Sequence, residues 1–338
     1  MARVRERAKR HPVEAEAQAA VAGGPDGPGD ERNGTAGRLG LLPRRGFWQG
    51  CAVLLATVTA AVGTRAAEGT AGGARPGGPR ERDGRLKWLA FYGQSADEAA
   101  LSAYDLVVLD PMFQGDLAQV GAGGGRLCAY LSIGEVRRGD ESFERLDPAC
   151  LLQENPAWPG AWRVDVRRSV WRDFVLRERL PAIRARGFTG LMLDTLDTPP
   201  WLEQSDPVAN RGMGQASIEL VQAIRHACPD MFIVVNRGYA ILPQLCSMVD
   251  AVLAESLLTS PDPGGGFFWN SPGDVEVQLA LLAPAKEAKP PLPILSLDYW
   301  DPADAAGLGE IYRRQRALGH RPYVATPRLD DIVPEPSG

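Results

Sequence analysis

From residue 88 onward, short apolar runs alternate with longer stretches that carry helical periodicity. Runs of this kind, bounded by turn signals, are typical of strands that are buried on both faces of a parallel sheet. The eight runs are Trp88–Tyr92, Leu106–Leu109, Leu127–Leu131, Leu191–Asp194, Phe232–Val235, Ala251–Ala254, Ile294–Leu297 and Tyr323–Ala325. This alternation predicts one domain of the α/β class, folded as a single closed (β/α)8 barrel, the TIM barrel.

A doubly wound open sheet is the alternative that the same alternation allows. Sheets of that type often place a glycine-rich phosphate loop directly after the first strand. Here the first run is followed by Gly93-Gln-Ser95, which lacks that spacing. The glycine run Gly123–Gly125 precedes a strand and is typical of a turn. The closed barrel is therefore favoured.

One amphipathic helix is predicted over residues 168–186, where apolar residues recur at helical spacing. The side expected to face the core carries Val170, Phe174, Leu180 and Ile183. Pro181 is expected to kink this helix, because proline has no backbone N–H to donate.

The first 86 residues lack the alternation of strands and helices and divide by composition. Residues 1–45 are rich in Arg, Glu, Gly and Pro and are predicted to be disordered. Residues 46–67 hold an uncharged apolar stretch, 46–64, that has the size and composition of a signal-peptide core. Because this stretch does not begin near residue 1, a start site further downstream and an uncleaved membrane anchor both stay open.

Residues 68–86 are rich in Gly, Pro and Arg, which indicates a linker. The folded domain is expected over 87–330, with a short tail at 331–338. A signal peptide implies export to the periplasm or the outside of the cell, where cysteines can pair. Cys228 with Cys246 is the pair considered, whereas Cys128 lies in a strand and is expected to be a buried apolar side chain.

Composition and motifs exclude several kinds of function. The net charge of -5 gives no electrostatic reason to expect nucleic acid as a partner. The three histidines, His11, His226 and His320, are expected to be structural or solvent-facing rather than metal ligands. No G-x-S-x-G, H-E-x-x-H or C-x-x-C motif occurs. We expect no metal and no cofactor, although a carboxylate-bound magnesium or calcium ion stays open.

Polar side chains follow the predicted strands at the points where they end. One such carboxylate could cap the next helix, but five of the eight runs end in an acid and a sixth ends in an amide. These residues are Asp110, Glu135, Asp194, Asn236, Glu255 and Asp298. In a barrel the strand ends meet on one face and surround one pocket. Close carboxylates raise one another's pKa, giving one protonated and one ionised group, which is what cleavage of a glycosidic bond requires.

Aromatic residues near the same strand ends are candidates for stacking on sugar rings. They are Tyr92, Tyr130, Tyr239, Tyr299 and Trp300. For any one ring, packing in the core is the simpler expectation. The pair Tyr299-Trp300 is the exception, because it follows a strand end between Asp298 and Asp301.

Three stretches carry a resemblance to a known family. They are Tyr130-Leu-Ser-Ile-Gly-Glu135, Trp162-Arg-Val-Asp-Val166 leading into a helix that contains tryptophan, and Gly187-Phe-Thr-Gly-Leu-Met-Leu-Asp-Thr-Leu-Asp197. In this order and spacing they resemble the endo-α-1,4-polygalactosaminidases, glycoside hydrolase family 114, which includes relatives of the hydrolase domain of the Pel polysaccharide protein. The resemblance covers residues 87–330.

The resemblance implies a (β/α)8 barrel that cleaves α-1,4-linked galactosamine or N-acetylgalactosamine polymers internally, with retention of configuration. Asp194 matches the family nucleophile, and Glu255, by its order and strand position, matches the acid/base. The residues expected to bind substrate around them are Tyr92, Asp110, Glu135, Asp197, Asn236, Asp298, Tyr299 and Trp300. The family often carries Asn after the nucleophile, where this chain has Thr195, a departure that bears on substrate preference.

The implied partner is therefore a galactosamine-rich polysaccharide, which is cationic when deacetylated and would be attracted by an acidic cleft. Two other functions stay open. A barrel of this kind could bind an exopolysaccharide without cleaving it, since fold does not fix function, although binding alone requires neither Asp194 nor Glu255. A hydrolase with a carboxylate-bound metal is the third possibility, and it would be sensitive to chelators.

Overall fold

The computed structural model describes residues 77–79, 85–140 and 143–336. The predicted disordered tail, the signal or anchor segment and most of the linker lie outside these residues. Their assignments therefore stay predictions.

Eight parallel strands form one sheet, and each strand pairs with the next along the chain. They are β1 (Trp88–Phe91), β2 (Leu106–Leu109), β3 (Arg126–Ser132), β4 (Gly190–Asp194), β5 (Phe232–Asn236), β6 (Ala251–Glu255), β7 (Ile294–Tyr299) and β8 (Arg321–Ala325). The sheet curls into a nearly closed barrel. Trp88 Nε1 on β1 donates to the carbonyl of Arg321 on β8 at 2.7 Å, and the Trp88 ring meets the Tyr323 ring edge-on at 5.8 Å. The predicted (β/α)8 architecture is confirmed.

Helices connect most of the strands. The α-helices are Glu98–Ser102, Leu117–Gly121, Ser169–Asp173, Leu180–Ala185, Thr198–Ser205, Met213–Ala227, Leu242–Leu245, Pro272–Leu281, Ala283–Glu287 and Ala305–Ala317. Two short 3-10 helices cover Phe143–Arg145 and Pro148–Cys150. Every residue of β1, β2, β5 and β7 is buried, as expected of strands covered on both faces.

The helix predicted over residues 168–186 is present, with an irregular middle. A π-helical segment, Phe174–Arg179, separates its two α-helical parts. The irregular turn lies just before Pro181, whose missing N–H interrupts the regular hydrogen bonding. Leu180 and Ile183 are buried as predicted, but Val170 is 43% exposed, so its assignment to the inward side was wrong. The irregular turn rotates the two halves of the apolar side out of register.

Two small antiparallel sheets are added above the barrel, and the sequence did not predict either. One contains Glu135–Arg137, Leu151–Glu154 and Ala161–Val164. The other pairs Thr259–Pro261 with Phe267–Trp269. The run that was expected to continue from β3 into Glu135 instead ends at Ser132, and Glu135 begins the first small sheet.

The four described cysteines are free thiols. Cys128 is fully buried in β3, as predicted. The pairing considered for Cys228 and Cys246 is wrong in this structure. The Cys246 thiol instead donates to the Leu242 carbonyl at 3.2 Å.

Candidate active site

Asp194, Asn236 and Glu255 are the last residues of three adjacent strands, β4, β5 and β6. Their side chains converge at the C-terminal end of the barrel. The amide nitrogen Nδ2 of Asn236 donates to Asp194 Oδ1 at 2.9 Å and to Glu255 Oε2 at 2.7 Å. One buried nitrogen therefore bridges two carboxylates that lie 61 positions apart in the sequence.

The residue after each of these strands has a left-handed backbone. The φ angles are 60° at Thr195, 53° at Arg237 and 53° at Ser256. Among the described residues, only one other non-glycine residue has a positive φ. Side chains such as these rarely adopt this conformation, and such strain collects where the surrounding structure fixes a functional group. The three turns direct the chain sharply away from the barrel, directly after the three site residues.

The Thr195 hydroxyl stabilises its own strained turn. Its Oγ1 accepts from the backbone nitrogens of Ile133 (3.1 Å) and Gly134 (2.7 Å) and contacts Ser132 Oγ at 2.8 Å. The end of β3 is thereby tied to the end of β4. Gly134 itself has no room for a side chain, because an added Cβ would lie 2.5 Å from the Thr195 carbonyl oxygen.

Glu255 lies in an environment that favours its protonated form. Loss of contact with water raises the pKa of this carboxyl, and the charge of Asp194 raises it further. The Tyr299 hydroxyl donates to Glu255 Oε1 and acts in the opposite direction, since it stabilises the carboxylate. The Tyr299 side chain is only 4% exposed, so the expectation that its ring stacks on a sugar does not hold. The ring is packed in the barrel, and its hydroxyl contacts the acid.

Glu135 is a buried carboxylate beside the same site. Its Oε1 accepts from Asn155 Nδ2 and from Thr198 Oγ1, both at 2.9 Å. Burial raises the pKa of Glu135, with a smaller contribution from the charge of Asp194, whereas Arg163 opposes the shift. Glu135 is thus held in place by the first small sheet and by the helix after β4.

Asp197 lies at the start of that helix, with its side chain partly exposed. Arg237 Nε is 3.5 Å from Asp197 Oδ2. Because Arg237 directly follows Asn236, this ion pair connects the loops after β4 and β5. Sequence reasoning missed Arg237, since an arginine just beyond a strand end is ordinary in isolation.

Asp298 is placed differently from the other strand-end acids. It has no exposed surface, and its Oδ1 accepts from the backbone nitrogens of Leu258 (2.8 Å) and Thr259 (2.9 Å). Its Oδ2 accepts from Gln315 Nε2 at 2.6 Å, and burial raises its pKa to about 6. The expectation that Asp298 contacts substrate is therefore wrong: its hydrogen bonds hold the loop after β6.

Three predicted substrate residues lie around this centre rather than in contact with its carboxylates. Asp110 is half-buried after β2, and its Oδ1 accepts from Met112 N at 2.7 Å, which closes a turn. The Tyr92 ring meets Tyr130 edge-on at 5.2 Å. Trp300 is partly exposed at the end of β7. Contact of these residues with substrate stays a prediction.

The sequence analysis missed the aromatic residues that surround Trp300. Phe267 and Trp269 belong to the second small sheet, and their ring centroids lie 5.9 and 5.5 Å from that of Trp300. The signal for them was present as three successive aromatic residues directly after three glycines, 264–269.

In the part of the chain that the structure describes, no three His, Cys, Asp or Glu side chains are grouped so as to hold a metal ion. Within the same residues, no helix is long and apolar enough to cross a membrane. The stretch considered as an anchor, 46–64, is not among them. His226 is exposed, and His320 is buried with Nδ1 at 2.8 Å from Gln315 Oε1, which agrees with the solvent-facing and structural roles expected.

Known proteins similar to the chain include two curated relatives. A Deinococcus radiodurans protein, described as uncharacterized, is 28% identical over 261 residues, which cover 72% of this chain and 80% of that protein. A Thermotoga maritima protein, also described as uncharacterized, is 30% identical over 141 residues, or 38% of this chain. The aligned residues span only 43% of the length of the Thermotoga protein.

Two solved structures share the fold. The glycoside hydrolase domain of PelA from Pseudomonas aeruginosa superposes with a TM-score of 0.65 and 27% identity, covering 75% of this chain and 98% of that domain. Aspergillus fumigatus Ega3, solved in complex with galactosamine, gives a TM-score of 0.55 at 14% identity, covering 76% of this chain and 98% of Ega3, a likeness of fold alone. A model of the glycoside-hydrolase family GH114 matches residues 69–338. With the matching barrel, this shows that the chain belongs to glycoside-hydrolase family GH114 and is a glycosidase.

Proposed function

We propose that the chain is an endo-acting, retaining hydrolase of polymers of α-1,4-linked galactosamine or N-acetylgalactosamine. Asp194 is the nucleophile in this proposal, and Glu255 is the acid/base. The choice of substrate is supported by the resemblance described above and by Ega3, which was solved with galactosamine. The polymer is cationic where it is deacetylated, and the carboxylates at the C-terminal end of the barrel favour a cationic ligand.

The observation that carries the mechanism is the amide nitrogen shared by the two carboxylates. Asp194 Oδ1 and Glu255 Oε2 both lie within 2.9 Å of Asn236 Nδ2, so these oxygens cannot be further apart than twice that distance. Retaining glycosidases have carboxyl groups about 5–5.5 Å apart, whereas inverting enzymes need about 6.5–9.5 Å to admit a water molecule. The spacing therefore supports double displacement.

The protonation of the pair supports the same roles. In the first step, an Asp194 oxygen forms a bond to the anomeric carbon while the bond to the leaving oxygen breaks, and Glu255 gives its proton to that oxygen. In the second step, Glu255 takes a proton from water, the water oxygen bonds to the anomeric carbon, and the ester to Asp194 breaks. The raised pKa of Glu255 keeps a proton available for the first step.

Around this pair, Asn236 positions both carboxylates and Tyr299 adjusts the acid. We propose that Glu135, Asp197, Tyr92, Asp110 and Trp300 contact the sugars on either side of the cleaved bond. Export, to the periplasm or the cell exterior, belongs to the same proposal, because a polymer of this kind is an extracellular substrate. Its sequence basis is the apolar stretch 46–64.

Digestion of a partly deacetylated α-1,4-galactosamine polymer tests the proposal. We compare the full chain with Asp194→Asn and Glu255→Gln, analyse products by mass spectrometry, and follow the first-formed anomer by NMR. Wild type should release oligosaccharides of retained configuration, and each variant should lose at least about a thousandfold in kcat. Asp173→Asn, which changes an exposed acid of a surface ion pair, is the matched control and should keep full activity.

Each other outcome has a definite meaning. Inverted products would contradict the role of Asp194 as nucleophile. Binding of the polymer without products would support a non-catalytic binding barrel. Activity that is lost on chelation and restored by magnesium or calcium would favour a metal-dependent hydrolase.

A further inference from the structure

The loop after β6 carries exposed aromatic side chains. It folds into the aromatic hairpin, defined here as Thr259–Pro261, Phe267–Trp269 and the turn between them. Phe268 is 42% exposed and Trp269 is 36% exposed. Burial of apolar surface is worth about 25 cal/mol per Å², and neighbouring exposed rings mark a surface at which something binds.

The aromatic hairpin is fixed to the catalytic end of the barrel. Asn270 Nδ2, at the end of the hairpin, donates to the carbonyl of Ser256 at 2.8 Å. At the start of the hairpin, Thr259 Oγ1 donates to the carbonyl of Tyr299 at 3.0 Å. Ser256 directly follows Glu255, and the Tyr299 hydroxyl donates to the Glu255 carboxyl. The hairpin is therefore continuous with the residues that surround the acid/base.

The rings are also ordered before any ligand arrives. Trp269 and Trp300 pack at 5.5 Å with their planes inclined by 52°, and Phe267 packs on Trp300 at 5.9 Å. Trp300 Nε1 donates to Asp304 Oδ2 at 2.9 Å, and the Arg314 guanidinium lies 4.6 Å from the Trp269 ring centroid. A surface held in this way loses little conformational entropy when it binds.

We propose that the aromatic hairpin is a distal subsite for one pyranose unit of the polymer, which packs on the exposed surfaces of Phe268 and Trp269. This inference rests on the proposed function, because its occupant is the same chain that is cleaved between Asp194 and Glu255. The C–H face of a pyranose is apolar and flat enough to cover a ring, and the ammonium of a deacetylated unit is attracted to the ring face. Continuity with Glu255 directs the polymer toward this surface.

The test compares wild type, Trp269→Ala and Trp269→Phe over α-1,4-galactosamine oligomers of increasing length and the full polymer. Trp269→Ala should raise KM for the polymer by about fivefold to tenfold, the range that one aromatic contact gives, with kcat changed much less. The effect on KM should grow with oligomer length, and Trp269→Phe should restore most of the affinity. Val170→Ala removes an equally exposed apolar side chain far from the hairpin and is the control.

Calorimetry on the Asp194→Asn background measures polymer binding without cleavage and separates the two proposals. If wild type cleaves the polymer and Trp269→Ala matches it in KM and in affinity at every length, the subsite is refuted and the proposed function stands. If wild type binds but does not cleave, the proposed function fails, and a loss of affinity in Trp269→Ala still supports the subsite. Failure to bind the polymer at all overturns both.

Discussion

Single residues determine how the two carboxylates differ. Asn236 contacts both of them, but only Glu255 also accepts from Tyr299. The two groups therefore have unequal surroundings although each ends a buried strand. Unequal surroundings are how one enzyme runs acid and nucleophile chemistry at a single pH.

Tyr299→Phe should move the pH profile of kcat/KM. The Tyr299 hydroxyl stabilises the Glu255 carboxylate, so its removal raises the pKa of Glu255 further. Glu255 acts as an acid only while protonated, and activity is lost as pH rises through its pKa. The basic limb of the profile should therefore shift to higher pH, as measured by initial rates on the polymer. Tyr104→Phe, a change away from the site, should leave the limb in place; an unshifted limb in Tyr299→Phe would contradict the role of the hydroxyl.

Two substitutions at Thr195 should have opposite effects on stability. Asn tolerates a positive φ better than a β-branched residue and keeps a side-chain acceptor, so Thr195→Asn should raise the free energy of unfolding by about 1 kcal/mol. Thr195→Val keeps the shape but leaves the N–H groups of Ile133 and Gly134 without an acceptor, which should lower it by about 2 kcal/mol. Urea denaturation of both variants measures the difference. Equal stabilities would show that neither strain nor the hydroxyl matters at this position.

At the scale of elements, the ends of the barrel strands serve two purposes. β4, β5 and β6 present their last side chains to the site, while the Asp298 carboxylate of β7 is used to hold the loop that becomes the aromatic hairpin. Behind Asp298, Gln315 and His320 extend a buried polar chain into the last helix and the start of β8. Because Gln315 Nε2 donates to Asp298, its Oε1 must accept from His320, which places the histidine proton on Nδ1.

Asp298→Asn should reverse this chain of hydrogen bonds. The introduced amide can accept from Leu258 and Thr259 with its oxygen, but its nitrogen then faces Gln315. Gln315 must turn its oxygen toward that nitrogen and its own nitrogen toward His320, whose proton moves to Nε2. Nitrogen chemical shifts of the His320 ring report the tautomer directly. Retention of the Nδ1–H form would show that the chain is not ordered as described.

Asp298→Ala tests the same carboxylate as an anchor for the loop after β6. The change leaves three buried donors unpaired, the N–H groups of Leu258 and Thr259 and the Gln315 amide. It should therefore lower the free energy of unfolding by about 3 kcal/mol, as measured by urea denaturation. Asp262→Ala, an exposed change in the same loop, is the control; equal losses in the two variants would contradict the anchoring role.

The elements also show where the sequence is informative. The apolar runs of the eight strands are local signals, and all eight are confirmed because burial on both faces leaves a continuous apolar pattern. Glu135–Arg137 and Phe267–Trp269 are three-residue strands that exist through pairing with distant segments, so no local pattern marks them. Asp194 and Asp298 look alike in sequence, each a carboxylate after an apolar run. Only the path of the loop after β6 distinguishes a site residue from a buried anchor.

For the whole molecule, closure of the barrel depends on contacts between its first and last strands. Trp88 is almost fully buried, and its indole both donates to Arg321 and packs against Tyr323. Among the described backbone contacts, Tyr92 N also donates to the Leu329 carbonyl at 2.5 Å. These contacts join residues more than 230 positions apart, which sequence periodicity alone could not reveal.

Trp88→Ala should lower the free energy of unfolding by about 3–5 kcal/mol, because it leaves a large cavity where the barrel closes. Trp88→Phe keeps most of the packing and loses one hydrogen bond, so it should cost about 1–2 kcal/mol. Chemical denaturation measures both, and kcat of the folded fraction should stay unchanged, since the seam lies apart from the carboxylates. A Trp88→Ala variant as stable as wild type would mean that the seam contributes nothing to closure.

The direction of the strands has a practical consequence. All eight run the same way, so the chain enters β1 at one rim of the barrel while Asp194, Asn236 and Glu255 stand at the opposite rim. Any attachment made ahead of β1, by a cell or by an experimenter coupling the protein to a bead, therefore holds the molecule by its back. The open rim then points into the medium, where a long insoluble matrix can reach it without the support standing in the way.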